Sequence, residues 1–127
     1  MHNKLALVGA VAWTLVIFFL CLIKSSDLPT VAIVNLDKVV HAFLHLLFVI
    51  LWFLYFKNQF ISSFNTKALV YAFALSVFYG IAIEIMQQLF TTTRSADVLD
   101  VVANFVGAII GVSVVIVAKK VWNGKIV

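Results

Sequence analysis

The chain has 127 residues, 65% of them hydrophobic and 11% charged, with a mean hydropathy of +1.16. Water-soluble domains run nearer half apolar and a quarter charged, so a soluble enzyme or binding module is excluded and a membrane protein is expected. The net charge of +4 is spread as single or paired Lys and Arg between apolar runs, a pattern that orients helices in a membrane and is no nucleic-acid footprint. Cys21, the single cysteine, excludes an internal disulfide and cannot build a zinc site by itself.

Four apolar runs follow one another at about Leu5–Ile23, Val39–Phe56, Ala68–Phe90 and Val98–Ala118. At ~1.5 Å per residue each covers about 27–34 Å, enough for a hydrocarbon core of about 30 Å. Alternating barrel patterning is absent, so helices are the spanning option, and the predicted fold is an all-α bundle of four transmembrane helices forming one domain over residues 1–127. The first run is longer than a signal h-region and no small-x-small cleavage site follows it, so it is expected to be a retained span.

Lys4, Lys57, Lys67, Lys119, Lys120 and Lys125 fall on one side of this arrangement, and Lys24, Lys38 and Arg94 on the other. The positive-inside rule therefore predicts both termini in the cytoplasm. Trp52, Tyr55, Tyr71 and Trp122 then fall at the cytoplasmic level, as an aromatic belt does.

With that topology, Asp37, Lys38 and His41 open the second helix at the outer face. Glu84, Gln87 and Gln88 close the third there, and Asp97, Asp100 and Asn104 open the fourth. Spacing predicts shared faces: Asp37, His41 and His45 step by four. So do Ala72, Ser76, Gly80, Glu84 and Gln88, while Asp100, Asn104, Gly107 and Gly111 step by four, three and four. Gly107-x-x-x-Gly111 is a close-packing motif, for a neighbouring helix or a second copy of the chain, and Gly80 serves the same purpose on the third helix. A charge near mid-membrane costs about 2.5–3.5 kcal/mol, so Glu84 needs a partner, water or a proton, and Arg94 is the partner expected in reach.

Each polar residue also has a plain structural role open to it. Asp37 and Asp97 precede apolar helices and suit N-caps, and Asp97-x-x-Asp100 approximates a capping box. His41 suits a metal ligand, a general base or an interhelical hydrogen bond, and His45, deeper, suits a structural one. His41, Glu84 and Asp100 are the residues that a divalent cation would use, although no metal site is assigned to them. Neither a Gly-rich phosphate loop nor Cys/His zinc spacing is present, and no cofactor is expected.

Asp37-Lys38-x-x-His41, Glu84-x-x-Gln87, Arg94, Asp97, Asp100, Asn104 and the Gly107/Gly111 pair together resemble the VanZ-like family of small bacterial membrane proteins. The match runs from about Leu36 to Val112. The family is named for a protein linked to resistance to the glycopeptide teicoplanin. The resemblance implies a four-helix, multi-pass envelope protein of the bacterial inner membrane whose shared polar residues gather near the outer face. His45 departs from it, standing where such sequences often carry an aromatic residue.

Three functions are weighed. The first is an envelope protein whose outward polar cleft (Asp37, Lys38, His41, Glu84, Gln87, Arg94, Asp97, Asp100 and Asn104) binds a lipid headgroup or a peptidoglycan-related ligand, with Arg94 and Lys38 holding its phosphate or carboxylate. The second is a membrane-embedded enzyme, metal-assisted, acting on a lipid-linked substrate. The third, a proton-coupled transporter, fits less well because the carboxylates crowd at one level. The expected partners are the lipid bilayer, a lipid or cell-wall precursor, and a second copy of the chain.

Overall fold

A computed structural model describes residues 2–23, 35–59, 66–91 and 97–124, and among these residues it contains four α-helices and no strand. They are α1 (His2–Leu22), α2 (Leu36–Phe56), α3 (Thr66–Phe90) and α4 (Val98–Gly124), each long and apolar enough to cross a membrane. Every run read from the sequence is a helix, and each helix extends beyond its apolar stretch at one end. α1 and α2 each start three residues earlier than hydropathy places them, and α4 runs on to Gly124. Amphipathic ends extend a span because a helix keeps its hydrogen-bond ladder after its side chains turn polar.

α2 and α4 run parallel, their first turns joined through Lys38 and Asp97 and their last turns lining a common groove with Lys57 and Trp122. α1 and α3 run the other way, the last turn of α1 meeting the last turns of α3 through a Gln87–Cys21 hydrogen bond. The α2–α4 interface is the most extensive, and among the described residues α1 packs on α2 and α3 without touching α4.

Large apolar side chains such as Phe19, Phe43, Phe78, Leu89, Phe90 and Val98 lie exposed around the bundle, a surface that suits acyl chains. Lipid supplies no hydrophobic drive between helices, so the bundle holds by close packing and polar contacts. Small residues allow the approach. Gly107 sits on the backbone of Ala42, and Gly111 on Leu46 and Val49. The glycine motif is thus an intramolecular seam between α4 and α2. On α3, Ala68, Ala72, Ser76 and Gly80 are all buried along one stripe.

One core cluster gathers Ile17, Cys21, Leu44, Phe48 and Ile83, and a second gathers Val49, Ala72 and Ala108. Cys21 is therefore a core residue. α1, with few polar groups of its own, is fixed by hydrogen bonds to carbonyls and hydroxyls: Trp13 Nε1 donates to Leu44 O (3.0 Å), Tyr79 Oη to Thr14 O (2.7 Å) and Trp52 Nε1 to Thr14 Oγ1 (3.1 Å). Trp52 thus turns inward, whereas Trp122 is exposed as a belt residue would be.

Candidate functional site

The parallel course of α2 and α4 sets two positive helix N-termini side by side, next to the C-terminal turns of α3. Carboxylates gather there for an elementary reason: each helix N-terminus presents unsatisfied N–H groups and about half a unit of positive charge. Asp97 is the N-cap of α4, its Oδ1 accepting from Leu99 N at 2.9 Å. Asp100 does not complete a capping box. The Asp97 N–H points to Glu84 Oε2 (3.4 Å), and Asp100 turns toward α2. Asp37 does not take the N-cap role that was open to it. Asn35 takes that place in a left-handed conformation (φ 60°), leaving Asp37 one position inside the first turn.

Lys38 joins the two helices. Its Nζ lies 2.8 Å from Asp37 Oδ2, 2.6 Å from Asp97 Oδ2 and 2.7 Å from Asp100 Oδ1. The Asp100 contact is an ion pair without the alignment of a hydrogen bond, since Oδ1 has none. An ammonium has three protons to donate, and three aspartates surround this one, which accounts for Lys38 without any ligand phosphate. The Lys38 ammonium, followed by the Leu99 N–H, holds the Asp97 carboxyl below the usual carboxylate range.

One turn deeper lies His41, only 4% exposed. Its Nδ1 is 3.1 Å from Asn104 Oδ1 and 3.8 Å from Glu84 Oε1, and its Nε2 is 3.8 Å from Asp100 Oδ2. Glu84 and Asn104 are each 3% exposed. One ligand atom each from His41, Glu84 and Asp100 lie within 4.8 Å of one another. A further turn in, His45 Nδ1 meets Ser76 Oγ at 2.8 Å, and its ring stacks on Phe48. Below that an aromatic series runs from Phe48 and Tyr79 through Trp52 to Phe56 and Tyr71.

Asp37, Lys38, His41, Glu84, Asp97, Asp100 and Asn104 therefore share one end of the bundle. Lys38 takes the inward direction that spacing gave to Asp37, which stays at the rim. Gln87 is buried but serves α1, its Nε2 donating to Cys21 O at 2.7 Å. Gln88 is exposed, so the inward stripe of α3 shifts from a step of four to a step of three after Glu84. Arg94, the expected partner of Glu84, lies outside the described residues. Gly80 packs against the other polar layer, since a Cβ there would stand 3.1 Å from His45 Cε1 and 3.2 Å from Asn104 Nδ2.

Sequence reasoning missed the His45–Ser76 bond, although Ser76 stands on the predicted stripe, and nothing in the pattern pointed to the Cys21 carbonyl as the acceptor for Gln87. A lateral cleft of about 200 Å³ between α3 and α4, lined by Val77, Gly80, Ile81, Val101, Asn104 and Phe105, reaches the cluster from the lipid side. The larger groove beside Phe53, Lys57 and Trp122 is at the opposite end and has no part in this site.

The family model described as VanZ/LLP1 matches residues 8–119, which span all four helices and the whole cluster. No curated protein and no solved structure matches the chain. The chain belongs to the VanZ/LLP1 family.

Proposed function

We propose that this VanZ/LLP1 protein uses the polar end of its bundle, opening away from the cytoplasm, to bind the headgroup of a lipid or peptidoglycan-related envelope molecule. The observation that carries the reading is the meeting of His41, Glu84, Asp100 and Asn104 from three helices at one level of an otherwise apolar bundle. Ionisable side chains at membrane depth are costly and characteristically mark a ligand or ion site, which supports a functional reading of this cluster beside its part in holding the helices together. Lys38 is already shared by three aspartates, so the inner positions present carboxylate oxygens and a carboxamide. Such a surface suits a headgroup that donates from hydroxyl or amine groups. Asn104 on the lateral cleft gives such a lipid an entry from the bilayer, with its chains left in the membrane.

The family resemblance suggests the phenotype to measure. Cells expressing the wild-type chain are compared with cells expressing Asp100→Ala or Arg94→Ala at equal membrane abundance for teicoplanin susceptibility. A shift that vanishes in both variants supports the reading. A shift that survives in both refutes it.

An enzymatic reading draws on one further observation: His41 lies 3.8 Å from both Glu84 and Asp100, where it could move a proton for a lipid-linked substrate. Turnover of a lipid phosphate that is lost in His41→Gln would favour it over binding alone.

A further inference from the structure

We infer that His41, Glu84 and Asp100 form a binding site for a divalent cation of the Zn²⁺ or Mn²⁺ type, with Asn104 holding the His41 ring from behind. The inference rests on reading the polar cluster as the functional site. It adds a cofactor that neither the sequence nor the family match assigns.

Distance is the first support. The three ligand atoms, one from each of α2, α3 and α4, already lie within 4.8 Å of one another. Nitrogen and oxygen ligands sit about 2.0–2.2 Å from zinc, so neighbouring ligand atoms in a tetrahedral site are about 3.4 Å apart. The observed 3.8 Å between His41 Nε2 and Asp100 Oδ2 is within side-chain adjustment of that spacing, whereas Glu84 Oε1, 3.8 Å from Nδ1 of the same ring, has to turn toward Nε2 to complete the set.

Hydrogen-bond chemistry is the second. With the Asn104 carboxamide oxygen assigned to the His41 side at 3.1 Å, the Nδ1 proton is donated to it, and Nε2 is left with its lone pair. That lone pair faces the Asp100 carboxylate at 3.8 Å, too far for a hydrogen bond and with nothing attractive between two acceptors. A cation between them removes the conflict. Metal-bound histidines characteristically donate their other ring N–H to a carbonyl or carboxylate, which is the role Asn104 fills.

The other end of the same Asn104 carboxamide adds a pointer. It is 3% exposed, and its Nδ2 has no hydrogen-bond partner among the described residues. Nδ2 borders the lateral cleft beside Gly80, where it can donate to an oxygen carried by a ligand of the cation. One imidazole with two carboxylates is too poor in oxygen for calcium, which takes six to eight oxygen ligands, and suits zinc or manganese better.

Lys38 has a defined place in this scheme. It holds Asp100 through Oδ1 at 2.7 Å and leaves Oδ2 for the cation, while its charge opposes the cation's arrival. A purely structural cluster would only be weakened by losing Lys38. A cation site would bind metal more tightly.

The test uses the full chain purified in detergent, stripped with a chelator, and titrated with Zn²⁺ or Mn²⁺ alone. Bound metal is read by elemental analysis, and Mn²⁺ also by its paramagnetic resonance signal. One ion per chain is expected for the wild type. Binding should be lost in His41→Ala and Asp100→Asn, weakened about 10–100-fold in Asn104→Ala, and tightened in Lys38→Met. If His41→Ala does not give monodisperse helical protein, the opposite shifts in Asn104→Ala and Lys38→Met carry the test.

No bound ion in the wild type, or equal binding in all variants, overturns the inference. Teicoplanin susceptibility keeps the two readings apart. A resistance shift with no bound metal sinks the cation site and spares headgroup binding, whereas one ion per chain with no shift does the reverse.

Discussion

A sharp test of the helix packing is a set of glycine-to-alanine changes graded by what the added methyl meets. At Gly107 the new Cβ would stand 2.6 Å from the Ala42 carbonyl carbon and 2.7 Å from its Cα, and closer still to that residue's carbonyl oxygen. Carbon atoms pack best about 3.5–4.0 Å apart, so α2 and α4 would have to part by about 1 Å, and a gap of that size forfeits a quarter to a half of each contact it opens. The obstacle is backbone, which cannot swing aside as a side chain does. Overpacking costs about 1–3 kcal/mol where side chains can yield, so Gly107→Ala is expected at the upper end, about 3 kcal/mol, or roughly a hundredfold in the folding equilibrium.

At Gly111 the nearest atom is the Leu46 carbonyl oxygen at 2.8 Å, and the cost should be smaller. Gly9, with nothing within 4 Å, is the control, where alanine should be neutral or stabilising by about 0.5–1 kcal/mol. The fraction of monodisperse protein remaining after heating in detergent ranks the three. If Gly107→Ala matches Gly9→Ala, the α2–α4 contact is wrong. If Gly107→Ala changes only self-association, the motif belongs to a second copy of the chain.

Lys38→Met should lower stability in chelator by about 2 kcal/mol, because three aspartates lose their shared cation, and adding Zn²⁺ should restore part of the loss in a thermal assay. Gln87→Leu leaves the Cys21 carbonyl without its donor and should cost about 1–3 kcal/mol, whereas exposed Gln88→Leu should stay within about 0.5 kcal/mol, both read by the same heating assay. Asp97 titrates below an ordinary aspartate, so its contribution is complete above about pH 3.9 and fades as pH falls through the lowered value. Asp97→Asn should therefore be less stable than the wild type at pH 5–7 and converge with it in acid below about pH 4, as an acid-unfolding series would show.

The sequence by itself determined the number of spans and the level at which the polar residues stand. Apolar runs of bilayer length leave the backbone no choice but helix, and a polar side chain's position along its helix fixes its depth. Its spacing also placed Glu84, His41 and Asn104 on stripes that do face inward. What it could not decide was direction around each helix. A soluble helix shows its buried face by contrast with a polar one, but here the outer face is as apolar as the core, and that contrast is missing. Only the packed bundle decided that Gln87 turns in while Gln88 turns out, that Lys38 and not Asp37 takes the inner course, and that Asn35 stands at the N-cap position of α2. The partners of each group were likewise a tertiary matter. Nothing along the chain says that Ser76 will meet His45, which depends on how α3 packs on α2, or that Lys38 will be shared with Asp97 and Asp100, which depends on how closely Gly107 and Gly111 let α4 approach α2.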